Sequence, residues 1–342
     1  MIKRKYYLDV LRILSIFAVI VIHICNKGFT YTFNGFEWNV SNVYNSIFRF
    51  CIPVFVMISG ALMLNNDKEI TLKKLYLKNA LHLVIAFVIW AIIYGLIKSI
   101  GTGFSISSFI QNFGCVHLWF IPMIVGLYVI TPLLRKITAD EKATKYFVIV
   151  SLVFTFLIPA VLSIPQLSAV KDYYDNSVFF HFTLGYVSYY VLGYYLDQQF
   201  KMKKELPISI IVFVAGALLM AFGTRYLSIK NGELSTFLCD NFFSIPAFLM
   251  SVGIFVFFKN IIKDEFKNEK VAKGLVFVSN NCFGIYIVHV LVFKYIFEPI
   301  GFSFASFNPI FSTLIVAIST FVVSLLITVV LKLIPGLKKF IL

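Results

Sequence analysis

Ten long apolar runs dominate this sequence and determine the solvent in which the chain folds. They lie at residues 8–27, 42–64, 75–97, 117–134, 146–164, 178–196, 206–226, 237–258, 276–297 and 309–334. A helix of about 20 apolar residues crosses the hydrocarbon core of a bilayer. The runs are continuous rather than alternating, which favours helices over a barrel. The sequence therefore predicts an all-α, polytopic membrane helix bundle with about ten transmembrane helices.

The composition supports one membrane domain with the lipid bilayer as its main partner. The chain is 60% hydrophobic and 13% charged, whereas soluble domains carry about 25% charged residues. We find no separate soluble segment and predict a single integral-membrane domain over residues 1–342. The start, residues 3–5 followed by an apolar run, mimics a signal peptide. Asp9 and Arg12 interrupt that run and no small-x-small cleavage site follows, so we expect a retained first helix.

Lysine and arginine are distributed unevenly between the connections. If the N-terminus is inside, 21 of them fall in cytoplasmic segments and five in external segments. Because positive charge is concentrated in cytoplasmic loops, this bias predicts both termini on the cytoplasmic side of a multi-pass protein. The net charge of +14 suits anionic lipid headgroups, and we expect no nucleic-acid partner.

Ionisable residues fall within the first apolar run, where they are costly and usually mark function. Arg12 and His23 are eleven positions apart, which on a helix is about 20° past three turns and a rise of about 16 Å. They therefore share a face, with Arg12 near the cytoplasmic surface and His23 past the midplane. The alternative is that Arg12 snorkels to the inner headgroups and His23 lies at the outer interface.

More polar residues fall in the outer half of the predicted bundle. Arg49 lies near the depth of His23, where an unpaired guanidinium is expensive. In the same run, Pro53 frees a backbone carbonyl or merely kinks the helix, and residues 59–60 permit close helix contact. His82 is near the inner end of the third helix. Three other histidines lie in the outer half, namely His117, His181 and His289. We interpret His181 as an interfacial, structural histidine.

Several classes of site lack a sequence signal. The five cysteines show no CxxC spacing, so neither a metal site nor a disulfide framework is predicted, and we interpret them as small apolar residues. No Walker loop, HExxH or GxSxG motif is present. The sequence thus gives no sign of an ATPase, a zinc protease or a serine hydrolase.

Four motifs resemble those of the acyltransferase-3 family of integral-membrane O-acyltransferases. Arg12, ten residues and His23 resemble its first-helix signature, and residues 49–60 look like its second-helix motif. Residues 117–121, with Tyr128 and Pro132 behind them, are similar to its central motif. Residues 279–289 match its late-helix motif. The motifs occur in the expected order between residues 8 and 289.

The resemblance implies transfer of an acyl group, usually acetyl, from cytoplasmic acyl-CoA to a hydroxyl of an extracytoplasmic cell-surface glycan or lipid-linked sugar. It implies a bacterial cytoplasmic membrane and no metal. The expected catalytic residues are His23 as general base, with Arg49 or His117 stabilising the oxyanion. The residues expected to bind the donor, acetyl-CoA, are Arg12, Lys73, Lys74 and Lys78. Those expected to bind substrate are Trp119, His289 and Ser59.

One position departs from the family pattern. Many members carry paired arginines at the inner end of the third helix, where this chain has Asn79 and His82. Lysines 73, 74 and 78 supply charge there, but ammonium groups lack the fork of a guanidinium. The alternative is therefore a small-molecule transporter domain of the same fold, for example for serine, like the domains attached to vancomycin-resistance serine racemases. A third possibility is a scaffold for glycan export.

Overall fold

The computed structural model describes residues 4–67, 69–102, 117–163, 167, 170, 185–201, 205–262 and 268–334. Every regular element in these ranges is helical, which confirms the predicted all-α class. The α-helices are α1 Tyr6–Cys25, α2 Phe36–Phe48, α3 Cys51–Met63, α4 Leu81–Thr102, α5 Phe120–Thr138, α6 Glu141–Ser151, α7 Ile158–Leu162, α8 Gly185–Gln198, α9 Glu205–Asn231, α10 Thr236–Cys239, α11 Ile245–Ile261, α12 Glu269–Val290 and α13 Pro309–Leu333.

Eight helical stretches in the described ranges are long and apolar enough to cross a membrane. They are Tyr6–Thr30, Phe36–Met63, Lys74–Ser99, Phe120–Thr138, Glu141–Leu162, Glu205–Asn231, Glu269–Ile300 and Pro309–Leu333. Each coincides with one predicted run. The other two runs coincide with the shorter apolar helix α11 and with α8, before which residues 171–184 lie outside the described residues. The chain is a polytopic membrane helix bundle.

Polar contacts connect the helix ends at each of the two opposite faces of the bundle. At one face, Lys5 donates to Asp197 over 2.6 Å and Arg135 donates to the Met63 carbonyl over 2.8 Å. Contacts at the other face join Lys27 to Glu298 and Tyr44 to the Ile310 carbonyl. These pairs unite ends that the charge bias places on the same side. The assignment of the first face to the cytoplasm stays a prediction.

The first helix is surrounded by other helices. It packs against α2, α3, α11, α12 and α13, and its buried residues include the charged Asp9. This position agrees with a helix that belongs to the bundle.

A one-turn break at Arg49 and Phe50 separates α2 from α3. Pro53 has no amide hydrogen to donate to the Arg49 carbonyl, and its ring crowds that carbonyl. The run predicted as one helix over 42–64 is therefore an interrupted span. Arg49 ends α2 with its side chain inside the bundle, only 3% exposed.

Two glycines bring α3 and α8 into backbone contact. A Cβ on Gly60 would overlap the Tyr190 carbonyl, and a Cβ on Gly193 would overlap the Met57 backbone. Helices in a membrane associate through such small residues, because lipid tails remove the hydrophobic driving force between them. The close contact predicted at residues 59–60 is thus made with α8.

Candidate active site

Three histidines from distant parts of the chain form a cluster. The ring centroid of His289, in α12, lies 5.3 Å from that of His23 in α1 and 5.4 Å from that of His117, which precedes α5. His117 and His289 are buried, with 4% and 0% exposure, and His23 is half-buried. The three outer-half histidines of the family motifs thus share one site.

Hydrogen bonds fix two members of the histidine cluster. Nδ1 of His289 lies 2.5 Å from the Tyr286 carbonyl. Because a carbonyl only accepts, a neutral His289 carries its hydrogen on Nδ1 and leaves Nε2 as an acceptor. The Tyr286 hydroxyl donates to the His117 carbonyl. The Nε2 atoms of His117 and His289 are buried without a hydrogen-bond partner among the described residues. Each can therefore form a further hydrogen bond within the site.

Tyr94 of α4 shapes the helix that carries His289. Its hydroxyl donates to the Ile287 carbonyl over 2.7 Å and accepts from the Leu291 amide over 3.2 Å. In a regular α-helix those two backbone groups bond directly, so the hydroxyl is inserted into the helical ladder. A π-helical segment begins at Leu291, and such segments are frequent at functional sites. The sequence analysis missed Tyr94, for which no motif gave a signal.

Arg12 lies at the inner end of the site in a network of charged side chains. Its Nη1 donates to Ser279 over 2.9 Å and lies 3.6 Å from Asp9. Ser279 donates to Asp9 over 2.6 Å, and Arg4 donates to the same carboxylate over 2.7 and 2.8 Å. Nε and Nη2 of Arg12 make no hydrogen bond to the described residues, and the side chain is 26% exposed. Arg12 therefore retains donors for an anion.

Two cavities share the Arg12 side chain as a wall. The first, about 370 Å³ in volume, is lined mainly by charged and polar residues, which include Arg4, Lys5, Asp9, Asn65, Asp197 and Asn280. The second, about 150 Å³, is mostly apolar and is lined by Phe55, Ser59, Leu83, Phe120, Ile121, Ile124, Tyr128, Cys282, Phe283 and Tyr286. Because Tyr286 contacts His117, the second cavity leads from Arg12 toward the histidine cluster.

A third cavity lies where the paired arginines of the family are expected. It has a volume of about 580 Å³ and is lined by Leu77, Lys78, Asn79, Leu81, His82, Leu83, Ile85 and Tyr128. Leu83 and Tyr128 also line the 150 Å³ cavity, so the two are adjacent. All three lysines are exposed. Lys78 lines this cavity and supplies positive charge there, whereas Lys73 and Lys74 line none of these three cavities.

Arg49 is paired on the outer side of the histidine cluster. Its Nε and Nη2 donate to Asn45 over 3.1 and 2.5 Å, and its Nη1 lies 3.4 Å from the exposed carboxylate of Asp240. The guanidinium also lies over the Phe242 ring, 5.1 Å from its centroid. Trp119, 39% exposed, lies 6.3 Å from that ring. These residues form a surface with aromatic and charged groups, and the sequence analysis missed Asp240 and Phe242.

The remaining sequence predictions concern cysteine, metal and one histidine. Cys25, Cys51, Cys239 and Cys282 are buried free thiols, as small apolar residues would be. Within the described ranges, no group of three or more potential ligands is arranged for a metal ion. Cys115 and His181 lie outside the described residues.

The fold and the site together define a polytopic membrane protein in which cavities lead from the Arg12 side chain toward a histidine cluster inside the bundle. The family follows from sequence comparison: the acyltransferase-3 model, described as an acyltransferase domain, matches residues 5–329. The chain belongs to this family, whose members are membrane acyltransferases. No curated protein and no solved structure gives a significant match to the chain.

Proposed function

We propose that the protein moves an acetyl or similar acyl group from cytoplasmic acyl-CoA to a hydroxyl of an extracytoplasmic glycan or lipid-linked sugar. The membrane proposed is the bacterial cytoplasmic membrane. The supporting observation is the path from Arg12, along the 150 Å³ cavity, to Tyr286 and the histidine cluster. A donor from one face and an acceptor from the other meet at the end of such a path.

The charged 370 Å³ cavity suits the phosphates of coenzyme A. Arg4, Lys5 and Arg12 line it, and Asp9 and Asp197 balance part of their charge. The unused Nε and Nη2 of Arg12 provide the paired donors that guanidinium groups use for phosphate. Lys78, with the exposed Lys73 and Lys74, adds positive charge that attracts the donor from a distance.

The pantetheine arm fits the apolar cavity beyond Arg12. The rise from Arg12 to His23 along α1 is roughly 16 Å, a distance that an extended pantetheine arm spans in large part. The cavity walls there are apolar, including Phe55, Ile124 and Phe283. Because such walls exclude water, the thioester is protected from hydrolysis and nearby charges act strongly on it.

The chemistry at the histidine cluster is direct acyl transfer. The oxygen of the acceptor hydroxyl attacks the thioester carbonyl, and His23 accepts the proton of that hydroxyl. A carbon–oxygen bond forms and the carbon–sulfur bond breaks, and the proton on His23 passes to the departing thiolate of coenzyme A. His117 or Arg49 donates to the transient oxyanion.

The outer surface around Trp119 suits a sugar acceptor. The rings of Trp119 and Phe242 offer apolar faces to pyranose rings, and the exposed carboxylate of Asp240 offers hydrogen-bond acceptors to hydroxyls. His289, predicted to bind substrate, has 0% exposure. Its role in substrate binding stays a prediction, and from this burial we propose that His289 acts in the interior of the site, beside His23. Ser59 lies on the donor side, in the wall of the apolar cavity.

The alternative is transport of a small molecule such as serine. The observation that favours it is the pair Asn79 and His82, which line a cavity where the family pattern places arginines. A site without that guanidinium pair has less charge to hold coenzyme A. The two functions differ in whether acyl-CoA binds at all.

Labelled acetyl-CoA tests the proposal. Inverted membrane vesicles containing the protein receive acetyl-CoA labelled in the acetyl group or, as a control, in the adenine. We expect only the acetyl label to reach glycan or lipid-linked sugar. Purified protein in calorimetry should bind both coenzyme A and acetyl-CoA. Absence of binding to either, together with serine uptake by proteoliposomes, would establish the transporter alternative.

A further inference from the structure

We infer that His289 is a positioning residue that accepts a hydrogen bond from His23 and so fixes which His23 nitrogen faces the acceptor hydroxyl. The catalytic meaning of this bond rests on the proposed function. The bond itself rests on the geometry of the histidine cluster and can be tested without any acyl transfer.

The first argument is the fixed orientation of the His289 ring. Its Nδ1 is held by the Tyr286 carbonyl at 2.5 Å, which leaves Nε2 as the acceptor of the neutral ring. The side chain has 0% exposure, and Nε2 has no hydrogen-bond partner among the described residues. A buried acceptor without a donor destabilises the folded protein by about 1–3 kcal/mol. A hydrogen bond from a neighbouring donor removes this cost.

The second argument is the distance to His23. Two imidazoles joined by N–H···N have roughly 3 Å between nitrogens and roughly 1 Å from each nitrogen to its ring centre, which places the centroids roughly 5 Å apart. The observed separation is 5.3 Å, with an angle of 43° between the rings. No described hydrogen bond holds the half-buried His23 ring, so a small rotation closes the contact.

The third argument is the chemical result of such a bond. Neutral His23 has one N–H and one lone pair. If the N–H is committed to His289, the other nitrogen is the base and points away from His289. When His23 takes the acceptor proton it becomes a cation, and its bond to His289 becomes charge-assisted and stronger. His289 thus acts as an uncharged counterpart of the carboxylate that orients histidine in a catalytic triad.

His117 is the competing donor to His289. Its ring lies 5.4 Å from that of His289 but at 82°, nearly perpendicular. The ring of His117 already interacts with the Ile287 backbone, whereas no described hydrogen bond holds the His23 ring. The geometry therefore favours His23 as the donor, and the experiment separates the two.

Nitrogen NMR of the full-length protein with ¹⁵N-labelled histidine tests the inference. The two ring nitrogens of a neutral histidine give well-separated signals, and single variants assign the five histidines. We compare the unmodified protein with His289→Gln, which keeps an acceptor oxygen near the Nε2 position, and with His289→Leu, which removes it. We expect His23 to show one tautomer in the unmodified protein and in His289→Gln, and a mixture in His289→Leu.

Activity provides the second measurement. His289→Leu should lower kcat by about tenfold or more while KM for acyl-CoA stays constant, and His289→Gln should keep most of the activity. A residue that only fills space would give the reverse order, because leucine fills an apolar site better than glutamine.

Three results would overturn the inference: an unchanged His23 signal in both variants, a change at His117 in place of His23, or equal activity of the leucine and glutamine variants. A single His23 tautomer that depends on His289, in a protein that transfers no acyl group, would support the hydrogen bond and reject the proposed function. If His289→Leu does not fold, the comparison of His289→Gln with the unmodified protein decides, because loss of the single tautomer there contradicts the inference.

Discussion

The Arg12 guanidinium donates to the Ser279 hydroxyl over 2.9 Å and ties α1 to α12 at the inner mouth of the site. This contact uses one nitrogen of Arg12 and leaves Nε and Nη2 for a ligand. The same residue lines both the polar and the apolar cavity. Arg12 is therefore placed at the boundary between the two cavities, where we propose that the phosphate end of the donor gives way to its acyl end.

Replacing Arg12 by alanine should weaken coenzyme A binding more than about tenfold, or about 1.4 kcal/mol. The lost interaction is a charge-assisted contact with phosphate. Calorimetry at low and high salt should show that affinity falls with salt, because screening weakens exposed ionic contacts. The control is Arg225→Ala, which removes an equal, exposed charge at the opposite face. Equal affinities of the two variants would remove Arg12 from the donor site.

Replacing His23 by alanine should lower acyl transfer by about 10²-fold or more, the typical loss of a general base. Coenzyme A affinity should change little, because the phosphate contacts lie at the other end of α1. The assay measures labelled acetyl in surface glycan at equal expression. His181→Ala, at the histidine predicted to be structural, should keep most activity. Transfer at the unmodified rate by His23→Ala would show that the general base is elsewhere.

Replacing Tyr94 by phenylalanine should lower stability by about 1–3 kcal/mol. The change leaves the buried Ile287 carbonyl without its donor at the point where α12 becomes π-helical. Thermal unfolding in detergent measures the effect. Tyr226→Phe, on a side chain that is 67% exposed, is the matched control. The role of the Tyr94 hydroxyl would be refuted by identical unfolding temperatures for the two variants.

Replacing Gly60 by alanine should prevent normal folding or reduce the yield of folded protein strongly. The added methyl group overlaps the Tyr190 carbonyl, and backbone does not move as a flexible side chain does. Gly126→Ala is the control, because a Cβ there meets nothing within 4 Å, and alanine favours helix by about 1 kcal/mol. Size-exclusion profiles compare the two. Monodisperse Gly60→Ala protein at normal yield would contradict the close packing of α3 and α8.

Reporter fusions should confirm the orientation. Fusions within 65–74 and 259–275 should give cytoplasmic signals, and fusions within 98–116 and 227–236 should give external signals. The expectation follows from the bias of 21 basic residues against five. Reversal of either pair would reject a ten-span arrangement with both termini inside.

Hydropathy and charge place a residue along the membrane normal but not around the bundle. They therefore predicted the spans and the depth of His23 and His289. The meeting of these rings depends on how α1 packs against α12, which neither hydropathy nor charge indicates. The donor role of Lys73 and Lys74 was inferred from their charge near the position where the family carries paired arginines, and the structure leaves both exposed and outside the three cavities.

Partners far apart in sequence were also beyond prediction. The burial cost of Arg49 was evident from its position, but its contact with Asp240 spans 191 residues. Tyr94 reads as an ordinary aromatic residue of an apolar run. Its importance arises because its hydroxyl bonds the Ile287 carbonyl and the Leu291 amide of another helical segment. Such a tertiary contact leaves no pattern in the sequence around Tyr94.

The glycine contact between α3 and α8 links the two sides of the protein mechanically. Helix α3 carries Ser59 in the wall of the donor cavity, and α8 carries Tyr186, whose ring lies 5.7 Å from that of Trp119 at the outer surface. With their backbones touching at Gly60 and Gly193, these helices leave no gap between them. A larger residue at either glycine would therefore displace α3 or α8, and with it the cavity wall that contains Ser59 or the ring that packs beside Trp119.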